Sequence, residues 1–113
     1  GVIRDDASVL ALAASLHPSA AVGGTPTADA IALIDHIERL DRGRYAGPVG
    51  WIGASGDGEW GIALRSAQVE DGVNGWGTRV RLFAGCGIVA DSVPADELAE
   101  ADAKLIPVRE ALS

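Results

Sequence analysis

The sequence predicts an α+β fold in which an antiparallel β-meander packs with helices. Three observations lead there: helical apolar spacing towards both ends, a middle stretch that alternates between turn signals, and 15 glycines among 113 residues, which call for many turns and close backbone approaches. An apolar fraction of 48 % and three tryptophans exclude a disordered chain. The length suits one modest core, burying roughly 60 to 70 % of the surface that the unfolded chain exposes.

The first helix is expected over residues 6 to 16, with Asp5 or Asp6 as cap and Val9, Leu10, Leu12, Ala13 and Leu16 as its apolar side. His17-Pro18 stops it, and residues 20 to 24 read as an irregular passage. Thr25-Pro26 then forms the cap and first turn of a second helix over 26 to 40, where Ala30, Ile31, Leu33, Ile34, Ile37 and Leu40 supply the packing surface. In the middle, Pro48 to Ile52 reads as a strand, Ser55-Gly56-Asp57-Gly58 as a turn, and 59 to 69 as one longer strand. Asp71-Gly72 and Asn74-Gly75 mark the next connection, and Thr78 to Phe83 the last strand. A final helix starts between Ser92 and Ala95, with Pro94 tolerated in its first turn. Pro107 is expected to kink or end it, because the amide that would reach Ala103 is missing.

Charge and cysteine content narrow the function classes. A formal charge of -7 without a Lys/Arg cluster speaks against nucleic acid and anionic membrane as partners, yet allows an anionic small molecule at a local basic site. No long apolar run or signal peptide is visible. Cys86 is alone, so no disulfide framework exists and a reducing, cytoplasmic compartment is the default. The absence of Met at position 1 favours a processed, cleaved or internally defined product.

Several residues carry possible chemistry. On the 59 to 69 strand, Arg65 shares a face with Gly61, Ala63 and Ala67, which leaves room for its guanidinium to grip a carboxylate by two parallel hydrogen bonds; a surface ion pair is the alternative. Gly85-Cys86-Gly87 can offer backbone amides to an anion or serve as a plain turn, with Cys86 a small filler. Glu97, Glu100 and Lys104 fall within about 60° on the final helix. Two carboxylates one turn apart can approach one hard cation, although a solvated charged face has the same pattern. The adjoining apolar stripe is Leu98, Ala101, Leu105, Val108 and Leu112. His17 either hydrogen-bonds the chain leaving the first helix or faces a polar ligand. Tyr45 and the tryptophans read as core or interface residues.

Together, LHPSAAVGGTP at 16 to 26, YAGPVGWIGASGDGEWGIALRSAQV at 45 to 69, RLFAGCGIVADS at 81 to 92 and ELAEADAKL at 97 to 105 resemble the C-terminal part of the chorismate-utilising enzymes. The segments GDGEWGIALR and RLFAGCGIV are most similar to isochorismate synthases of menaquinone and siderophore biosynthesis. The resemblance implies that residues 1–113 are a C-terminal fragment of a chorismate-binding catalytic domain of the anthranilate synthase component I-like fold. It further implies that Arg65 receives a chorismate carboxylate, that Gly85 to Gly87 contact carboxylate through their backbone, and that Glu100, assisted by Glu97, binds Mg²⁺. Lys104 would lie near substrate and metal, and His17 close to the active site. Cys86 departs from the alanine common between the loop glycines.

The implied chemistry is Mg²⁺-dependent isomerisation of chorismate to isochorismate. The catalytic base, acid and a further metal glutamate would lie in the remainder of the parent domain, so the chain alone is expected to be inactive. Anthranilate or salicylate synthesis is the alternative reaction, and a non-catalytic module binding a chorismate-like ligand or a partner is the alternative class.

Overall fold

In the computed structural model of the chain, residues 7–72 and 77–113 are described. The expected caps Asp5 and Asp6, the Asn74-Gly75 turn and Trp76 lie outside the described residues. The chain forms two compact units, Gly1–Ala63 and Leu64–Ser113, where the length had suggested one core.

In the first unit, α1 (Val9–Leu16) begins later than expected because Ser8 caps it: Ser8 is extended, and its hydroxyl accepts the Ala11 amide at 3.1 Å. His17, also extended, closes the helix, and a cis peptide bond leads to Pro18. The expected irregular passage instead contains a short helix, α2 (Ala20–Gly23), whose last amides bond back to the Ser19 carbonyl. Ala20 and Ala21 are good helix formers, and Gly24, at φ 82°, ends the turn. Helix α3 (Thr27–Glu38) is shorter than the predicted 26 to 40, since Pro26 is its cap and Arg39 turns left-handed at φ 48°. The two helices meet at Gly23, where a Cβ would lie 3.1 Å from both Ile31 and Thr27 side chains.

Strands β1 (Pro48–Ile52) and β2 (Gly58–Ile62) pair antiparallel, with Gly50 opposite Trp60 and Trp51 opposite Glu59. Cross-strand partners share a face, so Pro48, Gly50, Ile52, Gly58, Trp60 and Ile62 form one side of this hairpin. That side receives α1, with Val9 over Gly58. Gly50 is required beneath the Trp60 indole, for a Cβ there would lie 2.7 Å from Trp60 Cδ2. The opposite side leaves Val49 and Trp51 each 56 % exposed.

The single strand expected over 59 to 69 is two strands. The pleat stops after Ile62 and resumes at β3 (Ser66–Asp71), with Arg65 left-handed at φ 46° in between. A residue in that conformation turns the chain out of the pleat, so β2 pairs only with β1 and β3 only with β4 (Thr78–Phe83). The Arg65 expectation therefore changes: it stands at a strand break, not on a strand face with Gly61 and Ala63.

In the second unit, one face of β3–β4 carries Gln68 and Glu70 opposite Arg81 and Arg79, and the other carries Ala67 and Val69 opposite Leu82 and Val80. Glu70 is bracketed by Arg79 at 2.8 Å and Arg81 at 3.0 Å and is only 17 % exposed, whereas Val69 is 71 % exposed. Helix α4 (Pro94–Ala111) packs against β4 and runs through Pro107 without stopping, so of the expected kink or early end, the early end does not occur. Its amide is lost to the helix ladder, yet the turn after it forms. The α+β class holds: antiparallel sheets pack with helices. Among the described residues the buried apolar side chains are Ala46 and Phe83, each 7 % exposed, one in each unit.

Candidate functional site

The loop 84–93 joins β4 to α4 and is fastened to that helix at three points. Lys104 Nζ donates to the Gly85 carbonyl at 3.0 Å and pairs with Glu100 Oε1 at 2.5 Å. The Cys86 thiol donates to the Glu97 carbonyl at 3.4 Å, and Ser92 Oγ donates to Glu97 Oε1 at 2.7 Å. The i,i+4 spacing of Glu100 and Lys104 on an α-helix makes their pair local, while the reach of Lys104 to Gly85 is tertiary.

These contacts bring Gly85, Cys86, Glu97, Glu100 and Lys104 together. Gly87 follows in the same loop, with open space where a Cβ would project. Neither loop glycine takes a positive φ, so left-handed strain is not why glycine stands there. Among the described residues the amides of Gly85, Cys86 and Gly87 have no hydrogen-bond partner, which leaves three donors for an anion. Arg65 is exposed, and among the described residues no hydrogen bond or ion pair ties its guanidinium to the loop or to α4. A free, exposed guanidinium can take a carboxylate without first breaking an internal pair.

Electrostatics follows from these contacts. The Ser92 hydroxyl, then the Cys86 thiol and the charge of Lys104, hold the Glu97 carboxyl below the usual carboxylate range. The same neighbourhood acts in reverse on Cys86: the hydrogen bond to Glu97, with partial burial, pushes the thiol up. Cys86 is thus kept protonated and poorly nucleophilic, in keeping with a filler role.

The donor set fits a hard divalent cation in part. Glu97 Oε1 is held by Ser92 and Glu100 Oε1 by Lys104, and no internal contact takes the second oxygen of either among the described residues. Mg²⁺ favours such oxygens and commonly fills the rest of its octahedron with water and substrate. Among the described residues no group of three or more His, Cys, Asp or Glu side chains could hold a metal, so the two glutamates are part of a coordination sphere at most.

His17 belongs to the first unit. There it lines a cavity of about 340 Å³ together with Ile31, Asp35, Arg42 and Tyr45. Its Nδ1 is buried without a hydrogen-bond partner, and the imidazole makes no bond to the chain leaving α1 among the described residues. Arg42 is held by Glu38 through Nε at 2.8 Å and lies 5.5 Å over the Tyr45 ring. Sequence reasoning missed this lining and assigned Tyr45 to packing. It also missed Ser92, whose only sequence signal is a hydroxyl just ahead of a Pro-started helix.

The family model for chorismate binding enzyme matches residues 1–113. The chain belongs to that family. As a chorismate-binding family member it is 45 % identical over 112 residues to isochorismate synthase MenF of Bacillus subtilis, covering 99 % of this chain and 22 % of that protein. It is 46 % identical over 111 residues to the salicylate biosynthesis isochorismate synthase of Pseudomonas aeruginosa, covering 98 % and 22 %. A similar stretch relates it to anthranilate synthase component 1 2 of Haloarcula marismortui, 38 % identical over 112 residues, covering 99 % and 20 %. The chain spans about a fifth of the length of these relatives. No solved structure matches it significantly.

Proposed function

We propose that this chain is the C-terminal segment of an isochorismate synthase, contributing one wall of a site where chorismate is converted to isochorismate. The observation that carries the reading is the fastening of the 85–87 loop to the acidic face of α4: Lys104 contacts both Gly85 and Glu100, so anion-binding amides and carboxylates are held in one network. Names among the relatives support the same reaction class. A cytoplasmic location accords with this reading and with a lone cysteine.

The substrate carries two carboxylates, and the chain offers two kinds of anion holder. Arg65 can grip one carboxylate by two parallel hydrogen bonds, and the free amides of Gly85, Cys86 and Gly87 can receive another. Glu97 and Glu100 would hold Mg²⁺, which when bound would neutralise the ring carboxylate and stabilise charge as the reaction proceeds. Lys104 offsets the repulsion between Glu100 and an approaching dianion. For His17, in the first unit, the family resemblance is what implies a role close to the active site, and its Nδ1 has no hydrogen-bond partner among the described residues. The net change moves a hydroxyl: water adds at ring C2 and the C4 hydroxyl departs, with base and acid supplied by the remainder of the parent domain. Orientation matters greatly, for a displacement of about 1 Å can cost on the order of 10²-fold in rate.

The test is product analysis with the full-length polypeptide that carries this segment, given chorismate and Mg²⁺. Isochorismate is the expected product, and Glu100→Ala is expected to lower turnover by about 10²-fold or more. The anthranilate synthase relative favours a second reading, which anthranilate formed with ammonia would establish; salicylate with pyruvate would likewise overturn the first.

A further inference from the structure

The Ser92 hydroxyl has a single proton, and the structure fixes where it points. The Val89 amide donates to Ser92 Oγ at 3.1 Å, while the Ser92 amide donates back to the Val89 carbonyl at 3.0 Å. This reciprocal turn immobilises the oxygen and occupies it as an acceptor, so its proton is left for Glu97 Oε1 at 2.7 Å. Behind Glu97 the backbone is pinned as well, since the Cys86 thiol donates to its carbonyl. A half-exposed glutamate on the first turns of a helix would otherwise sample several rotamers.

We infer that Ser92 is a positioning residue for the proposed magnesium site: it holds one oxygen of Glu97 and leaves the other for the cation. The inference rests on the magnesium reading above. Its chemistry is that of groups that orient a metal-binding carboxylate without touching the metal. Ser92 would also fasten the start of α4, so affinity for metal and stability of the fold have to be read separately.

The experiment titrates Mg²⁺ into the full-length polypeptide by calorimetry, with Mn²⁺ spin resonance as a second readout and thermal melting in parallel. Ser92→Ala is expected to weaken Mg²⁺ binding about tenfold, in line with the loss of an orienting partner. Ser92→Thr and Ser92→Val have nearly the same shape and differ in the hydroxyl, so Thr should bind Mg²⁺ more tightly than Val even if both lower the melting temperature. Equal affinity in the Thr and Val proteins, with Glu97→Ala and Glu100→Ala deficient, overturns the role of Ser92 and leaves the metal site standing. Wild-type affinity in the two glutamate variants overturns the metal site itself.

Discussion

Glu97 shows how a side chain acquires its properties from neighbours four or more residues away. Its carboxyl is lowered first by Ser92, then by Cys86 and Lys104. A carboxylate lowered on folding stabilises the fold fully above the ordinary glutamate range, near pH 4.3, and that contribution is lost as pH falls through the lower folded value. Carbon NMR titration of Glu97 in the full-length polypeptide should therefore give a midpoint below the ordinary one. Ser92→Ala should move it upward, and an unmoved midpoint would remove Ser92 as the cause. The acidic pair and Lys104 were legible in the sequence because helical spacing alone sets them on one face. Ser92 was not, since nothing in a linear string shows a serine in the preceding loop folding back on the helix.

At the scale of elements, the β1–β2 hairpin depends on a glycine under an aromatic ring. A methyl group at position 50 would press on the Trp60 indole and the Glu59 carbonyl, both across the ladder. Overpacking of this kind costs about 1–3 kcal/mol. Urea denaturation of Gly50→Ala in the full-length polypeptide should show that loss, and an unchanged midpoint would mean the indole moves aside freely. The helix and strand types were readable from apolar period and turn residues. Element ends were less so: Arg39 and Arg65 are left-handed, and neither is a residue type that announces such a conformation. The same limit explains the undivided 59 to 69 strand, because alternation continues across Arg65 in the sequence while the backbone does not. The early end weighed at Pro107 fails for a different reason. A proline removes one hydrogen bond, but the packing of the rest of the helix can outweigh that loss.

Across the whole chain the outstanding property is unburied apolar surface within each unit. Trp51, Val49, Val69, Ile88 and Leu98 are all more than half exposed, and among the described residues no large side chain is fully buried. Two-stranded sheets with so little core are marginal by themselves. In the second unit the Glu70 carboxylate, 17 % exposed, is better covered than the apolar Val69, 71 % exposed, the reverse of what water would select for a finished surface. The isolated 113-residue chain is accordingly expected to bind an apolar fluorescent dye, to associate as concentration rises in sedimentation runs, and to show no turnover of chorismate with Mg²⁺. A monomer that melts cooperatively and ignores the dye would contradict this, as would turnover abolished by Glu100→Ala.

By itself the sequence determined the α+β class, the hairpin and helix types, the acidic face of the last helix and the resemblance to chorismate-utilising enzymes, because each rests on local period or on an ordered set of motifs. Only the tertiary structure decided that β2 and β3 part company at Arg65, that the His17 Nδ1 has no partner among the described residues and lies beside a cavity, and that Ser92, Cys86 and Lys104 tie the glycine loop to α4. Those facts depend on φ at single residues and on contacts between distant positions, which apolar spacing does not encode.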